Sequence, residues 1–353
     1  AFVIFPERVK ENIRIAKSIA GDTRWLRPHV KTHKTKEATL LMIEEGIYKF
    51  KCATIAEAEM LAQCKAADVL LAYQPVGPKL KRLIQLIKKY PETKFSCLVD
   101  NPASAKELSG AAISAGIRLY VYIDLNVGMN RTGIAPGTEA LQLYLTGLQL
   151  PGIELVGLHV YDGHIHDAEL DVRKKRCEES FAPVIKLKEA IKEKTGKEPV
   201  IVAGGTPTFP IHSKRGGVEC SPGTFIYWDR GYEMAYPEQP FLTAALIITR
   251  VISLPDEVRL CLDAGHKSVA SENELHRRIH FLNAPFLKVV AHSEEHLVVE
   301  AEPNHNYKVG DVFYGLPVHI CPTAALYERA LTIEEGKITG EWKMMARDRK
   351  IEC

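Results

Sequence analysis

Lys31 stands in the run Arg27-Pro28-His29-Val30-Lys31-Thr32-His33-Lys34, a basic cluster that closes an apolar stretch. An amine at the end of a buried strand is partly desolvated, which lowers its pKa and suits amine or imine chemistry. In isolation the same run also reads as a solvated basic turn. Two glycine–hydroxyl turns lie downstream, Gly204-Gly205-Thr206 and Gly223-Thr224. Glycine lets a backbone approach a phosphate closely, while amides and threonine hydroxyls supply donors. Arg131, in Gly128-Met129-Asn130-Arg131-Thr132-Gly133, is either a surface ion-pair partner or a grip on an anionic ligand oxygen. Tyr161 is either a rim aromatic or a face for a flat ring. His164 and His166 follow it, as exposed loop histidines or as a base within reach of a substrate. Near the C-terminus, His319-Ile320-Cys321 reads as an extended segment in which positions i and i+2 share one face. Imidazole and thiolate form a soft pair suited to zinc, although core packing also explains such a pair.

These residues need elements to hold them. Apolar, β-branched runs predict buried parallel strands at 25–31, 48–53, 68–74, 94–100, 117–125, 154–161, 200–204 and 218–227. Three- and four-residue apolar spacing predicts helices at 34–47, 78–90 and 179–196. Asn101-Pro102 and Pro136 open helices, while Gly116 and Gly196 close them. Eight strands alternating with helices predict an α/β architecture, a (β/α)8 TIM-type barrel over residues 6–235; an open doubly wound sheet is the competitor. In such a barrel strand eight closes onto strand one, making Lys31 a neighbour of the two glycine turns. Beyond residue 236 the texture changes to strands joined by short turns, at 245–255, 257–265, 286–301 and 329–342. That predicts a smaller, mainly antiparallel β domain over 236–353, to which residues 1–5 add a strand.

Composition narrows the field further. The 353 residues carry a formal net charge of +2, with 46% hydrophobic and 25% charged residues. No basic footprint for nucleic acid or an anionic membrane follows, and no apolar run is long enough to span a bilayer. The opening AFVIFPERVK lacks the parts of a signal peptide, and its abrupt start suggests that a few native residues precede it. Eight cysteines are dispersed without a C-x-x-C pair, which argues for free thiols in a reducing, cytoplasmic compartment.

Taken together, the segments resemble the fold-type III pyridoxal-phosphate enzymes related to alanine racemase. More narrowly, they resemble the group of D-threonine aldolase and eukaryotic-type D-serine dehydratase, over essentially the whole chain. R-P-H-V-K-T-H-K matches the cofactor-lysine segment, so the resemblance implies a Schiff base at Lys31. G-M-N-R-T-G implies Arg131 at the cofactor's phenolic oxygen, and the sixth-strand motif implies Tyr161 against the ring. G-G-T-P-T and S-P-G-T imply a phosphate cradle from Gly205, Thr206, Gly223 and Thr224. H-I-C-P implies a divalent metal on His319 and Cys321, with zinc slightly favoured over manganese or magnesium by the thiolate. A homodimer is also implied. Some aldolases of the group carry aspartate where this chain has Cys321, which leaves the reaction open.

Two reactions use these parts. In the first, a D-3-hydroxy amino acid such as D-threonine is cleaved to glycine and an aldehyde. The metal grips the β-hydroxyl, His166 or a water takes its proton, and Lys31 returns a proton to Cα. In the second, Lys31 removes the Cα proton and the hydroxyl leaves, so that D-serine or 3-hydroxy-D-aspartate yields a 2-oxo acid and ammonia. A non-catalytic pyridoxal-phosphate carrier ranks below both, because it needs neither the β domain nor the metal pair.

Overall fold

The computed structural model describes every residue from Ala1 to Cys353. In chain order the elements begin with β1 (Phe2–Ile4), α1 (Pro6–Ala20), α2 (Lys36–Glu44), β2 (Lys49–Cys52), α3 (Ile55–Gln63), β3 (Asp68–Leu71), α4 (Pro78–Lys89), β4 (Lys94–Val99) and α5 (Pro102–Ala115). They continue with β5 (Leu119–Leu125), α6 (Thr138–Gly147), β6 (Ile153–Val160), α7 (Leu170–Thr195), β7 (Val200–Ala203), α8 (Phe209–His212), β8 (Val218–Cys220) and α9 (Arg230–Ala235). The last third holds β9 (Ala245–Ser253), β10 (Arg259–Leu262), β11 (Ile279–Phe281), β12 (Lys288–His292), β13 (Leu297–Glu300), β14 (Val312–Pro317), α10 (Ile320–Ala324), β15 (Arg329–Glu334) and β16 (Lys337–Lys343). Two compact units emerge, one comprising residues 16–31, 39–223 and 348–353, the other residues 1–15, 32–38 and 224–347.

The first unit is a parallel sheet of seven strands in the order β2-β3-β4-β5-β6-β7-β8, connected by helices. The expected first strand, 25–31, survives as two isolated parallel bridges, Leu26 to Cys220 and His29 to Lys51. Proline explains the reduction, since Pro28 has no amide to give a ladder. Arg27 N still donates to Cys220 O and His29 N to Pro222 O on one side. On the other, Lys51 N donates to Pro28 O and Val30 N to Lys51 O. The segment thus joins β8 to β2, and the eight-membered parallel arrangement closes. The eighth strand is shorter than expected, and Pro222 and Gly223 follow its end.

Charge also holds this closure. Arg27 is fully buried; its Nε donates to Glu219 Oε2 at 2.7 Å and its Nη1 to Asp68 Oδ1 at 2.7 Å. Lys49 shares Glu219. The network therefore spans the first segment, β2, β3 and β8.

Helix signals were mostly local. Asn101 caps α5, accepting from Ser104 N, with Pro102 in the first turn. Gly116 and Gly196 end α5 and α7 at φ of 64° and 70°, a region that favours glycine. Helix α7 starts nine residues before the expected 179 and passes through Pro183. Its early turns bury only Arg173 and Cys177, and Arg173 donates to the carbonyls of Asp167 and Ala168. A buried face that is partly polar leaves no apolar period to read.

The second unit is a mixed sheet ordered β12-β13-β10-β9-β1-β15-β16, with β14 paired to β9 and β11. Strand β1 lies antiparallel to β9 and parallel to β15, so the N-terminal residues enter this sheet. Val3, Leu246 and Leu316 form a core cluster with Phe5, Ile248, Leu331 and Ile333. Strands β11 and β14 were not foreseen. The first has three residues, and the second carries Gly315 and Pro317, both poor strand signals. Gly315 is needed there, because a Cβ would overlap the Ile279 side chain on β11. No helix is long and apolar enough to cross a membrane.

Candidate active site

A cavity of about 540 Å³ opens in the first unit. Its lining includes Lys31, Lys51, Asp124, Arg131, His159 and Tyr161. The parallel strands explain why these meet, since each residue sits at or just beyond a strand's C-terminal end. Lys31, Arg131 and Tyr161, singled out from the sequence, therefore share one cavity.

Their supports are specific. Arg131 lies on the loop after β5, where Asn126 Oδ1 accepts from Gly128 N and Asn130 N. Gly128 has φ 122°, and a Cβ there would meet His164 Nε2 at 2.6 Å. The loop brings the Arg131 guanidinium 4.8 Å from the centre of the Tyr161 ring, a cation–π distance. Gly163 and Gly205 flank that ring; a Cβ at Gly163 would overlap its phenol, and one at Gly205 would touch Cε2 at 3.4 Å.

The structure redistributes the desolvation expected at Lys31. Lys31 is exposed, whereas Lys51 on β2 is 2% exposed. Burial lowers the Lys51 amine to about 7; Lys31 and Arg131 act in the same direction, against Asp162 and Asp124. His159 is buried, and its Nδ1 lies 2.7 Å from Asp124 Oδ1. Desolvation lowers its pKa despite Asp124, favouring the neutral ring, and its Nε2 has no partner. Sequence reading assigned no role to Lys51, Asp124 or His159. The available signal was polarity inside apolar strand runs, K-F-K-C, Y-I-D-L and L-H-V.

His166 lies exposed on the loop after β6 and is not among the cavity-lining residues. The two glycine turns are tied together, since Gly223 N donates to Thr206 Oγ1 at 3.0 Å. Behind them stands a buried trio, Asp162, Cys177 and His212, whose ligand-type atoms lie within 4.8 Å of one another. His212 Nε2 is 2.8 Å from Asp162 Oδ2, and Thr208 donates to Asp162 Oδ1 while accepting from Gly205 N. Although burial opposes the charged ring, Asp162 and Cys177 raise His212 to about 9. Such donors can hold a metal ion, but a protonated His212 makes the trio an ion pair bracing the Gly204–Gly205 turn.

In the second unit, His319 occupies the N-cap position of α10. Cys321 falls in that helix's first turn, so strand alternation does not bring the two together; the helix start does. Cys321 is 9% exposed, with its Sγ 3.1 Å from Thr32 Oγ1 and 3.6 Å from Thr224 Oγ1. Thr224 thus sits beside the thiol in this unit. His319 Nδ1 lies 2.6 Å from Glu272 Oε1. Burial opposes the charged ring, yet Cys321, Glu272 and Asp229 raise His319 to about 9. Asp229 is buried and accepts from Ile320 N and Tyr232 N; burial pushes its carboxyl up to about 7. His319 and Cys321 offer one nitrogen and one sulfur, donor types that a borderline-soft divalent metal accepts once the imidazole gives up its proton.

The cavity offers an amine, a guanidinium and a ring to a flat aldehyde cofactor, and Gly204, Gly205, Thr206 and Gly223 lie in the same unit but outside the cavity's lining. Comparison with known proteins agrees. Residues 4–231 match the family model for the alanine racemase N-terminal domain, and residues 244–333 match a putative serine dehydratase domain. A D-threonine aldolase of an Arthrobacter species is 28% identical over 330 residues, covering 91% of this chain and 85% of that protein. A 3-hydroxy-D-aspartate aldolase of Paracoccus denitrificans (strain Pd 1222) is 26% identical over 340 residues, covering 91% and 84%. The crystal structure of D-threonine aldolase from Filomicrobium marinum superposes with a TM-score of 0.90 at 25% identity, covering 98% of this chain and 94% of that one.

Proposed function

Since the chain belongs to the alanine racemase-like family of fold-type III pyridoxal-phosphate enzymes, we propose that it is a lyase cleaving D-3-hydroxy amino acids, such as D-threonine, to glycine and an aldehyde. The observation that carries this reading is the meeting of Lys31, Arg131 and Tyr161 in one cavity, in a chain whose relatives include two aldolases. Lys31 holds the cofactor covalently. With the cofactor bound, Arg131 would meet its anionic ring oxygen, Tyr161 would support the ring, and Gly205, Thr206, Gly223 and Thr224 would hold the phosphate. Bound pyridoxal phosphate supplies a sink for the electron pair released at Cα. His319 and Cys321 hold a divalent metal, for which zinc suits the thiolate, and that ion supplies a Lewis acid for the β-hydroxyl.

The hydroxyl proton goes to a histidine. His166 is the exposed candidate on the loop after β6, and His159 is the cavity-lining one, neutral and anchored by Asp124. Replacing each by asparagine separates them, since the variant at the working base loses kcat together with the low-pH limb of its profile while the other variant does not. Lys31, once released by substrate, is the group that moves a proton at Cα. The chain works as a homodimer, testable by sedimentation. Its eight free cysteines suit a reducing, cytoplasmic setting.

A second reading is favoured by the serine dehydratase match over 244–333. There Lys31 takes the Cα proton and the hydroxyl leaves, giving a 2-oxo acid and ammonia. Incubation with D-threonine, pyridoxal phosphate and zinc or manganese decides between them. Glycine and acetaldehyde, lost on chelation, support the aldolase. Ammonia and 2-oxobutanoate overturn it in favour of the dehydratase, and neither pair of products refutes both.

A further inference from the structure

Two primary amines line the cavity, and only one has a role so far. Lys51 projects from β2, one parallel bridge away from the segment that carries Lys31. It is 2% exposed, and its Nζ makes no hydrogen bond within the chain. Its surroundings are the Tyr161 ring, 5.6 Å from Nζ, the carboxylates of Asp124 and Asp162, and the cations Lys31 and Arg131. No carboxylate pairs with it directly, although Asp124 is engaged by His159 and Asp162 by His212. A buried lysine without an ion-pair partner is uncommon, because burying an unpaired charge is costly. The amine relieves that cost by shedding its proton, which leaves a nucleophile aimed into the space the cofactor enters.

We propose that Lys51 is a second covalent site for a carbonyl compound in this cavity, able to capture the aldehyde of pyridoxal phosphate when Lys31 is not engaged. This rests on the reading that the cavity takes that cofactor. Lys51 Nζ adds to the aldehyde carbon, a carbon–nitrogen double bond forms, and the aldehyde oxygen leaves as water with the two amine hydrogens. No oxidant or reductant is required. Handover to Lys31 reverses the attachment by addition of its amine to the same carbon, and Lys51 departs unchanged.

With its proton affinity lowered to about 7, Lys51 carries at pH 7.5 roughly two to three orders of magnitude more neutral amine than a surface lysine near 10.4. The test therefore reads sites of attachment and not activity. Wild-type protein, Lys31→Ala and the double variant Lys31→Ala/Lys51→Arg are incubated with pyridoxal phosphate at pH 7.5. They are then reduced with borohydride, digested and mapped by mass spectrometry. Arginine fills a similar volume and forms no reducible bond of this kind, while fixing a positive charge where Lys51 is largely neutral, so loss of label there reports the missing amine. Label on Lys31 in the wild type, on Lys51 in Lys31→Ala, and on neither segment in the double variant supports the proposal. If the wild type is labelled at Lys31 but Lys31→Ala carries label only on surface lysines or none, Lys51 is not such a site, while the cofactor reading stands. If the wild type takes up no label at Lys31, the cofactor reading and this inference fall together.

Discussion

Replacing Asp162 by asparagine removes one negative charge from a pair that is 3% and 1% exposed while keeping the shape of the side chain. In the native protein His212 keeps its proton to about 9, against 6.5 for an unperturbed imidazole. Because the folded value is the higher one, the stability it contributes is fully present below pH 6.5 and is lost as pH rises through 9. The gap between the two values corresponds to about 3 kcal/mol. In Asp162→Asn the imidazole is buried without its carboxylate, so desolvation dominates and that loss on the alkaline side disappears. The wild type should then exceed the variant most at pH 6, and the difference should shrink by about 3 kcal/mol by pH 9.5. Urea unfolding followed by tryptophan fluorescence, run on both proteins at each pH, measures this difference, and titrations shared by the two cancel. Parallel stability–pH curves would refute the reasoning. They would mean that His212 is neutral in the native protein and that the buried trio is not an ion pair.

Other perturbations test other joints. Glu219→Gln leaves Arg27 buried with only Asp68 beside it and should cost about 3–5 kcal/mol in unfolding experiments. Gly163→Ala forces the Tyr161 ring to move, and equilibrium dialysis should show pyridoxal phosphate binding weakened about tenfold or more, with circular dichroism unchanged. Glu272→Gln weakens the grip on His319 Nδ1, and competition with a chromogenic chelator should show zinc affinity reduced about 10- to 100-fold. An unchanged zinc affinity would separate Glu272 from any metal held by His319.

How far the sequence reached depended on what each signal encodes. Strand identity in the parallel sheet was legible because strands covered on both faces read as apolar runs, as in Leu119–Leu125. Helix ends were legible at Asn101, Gly116 and Gly196, where one residue carries the conformation. The early turns of α7 were not, because Arg173 turns a charged group inward and satisfies it on backbone carbonyls. Strands β11 and β14 were hidden by their brevity and by Gly315. At the site, Lys31, Arg131 and Tyr161 were found by motif, and the structure places them around one space. Lys51 and the Asp124–His159 pair were missed because burial is a property of neighbours distant in sequence. A lysine in a strand run reads the same whether it faces water or a cavity. The arrangement of His319 and Cys321 was read with the wrong geometry, since the chain turns into α10 between them.

Strand β1 sets the order in which the second unit can be completed. Its partners, β9 and β15, begin at Ala245 and Arg329, so Phe2–Ile4 is synthesised long before either strand it pairs with. At roughly 5–20 residues per second, the apolar Phe2-Val3-Ile4 segment waits on the order of 10–50 s before β9 has been synthesised, and longer for β15. During that interval it is an unpaired hydrophobic strand, the kind of segment that chaperones bind and that aggregates when they are scarce. The closed parallel sheet can form meanwhile, since β2 through β8 are complete by Cys220. Expression yield should therefore respond to chaperone supply and to a polar replacement at Val3 in opposite ways. Chaperones protect the waiting strand, whereas the replacement spares it from aggregation but costs the finished sheet its core contact with Leu246 and Leu316.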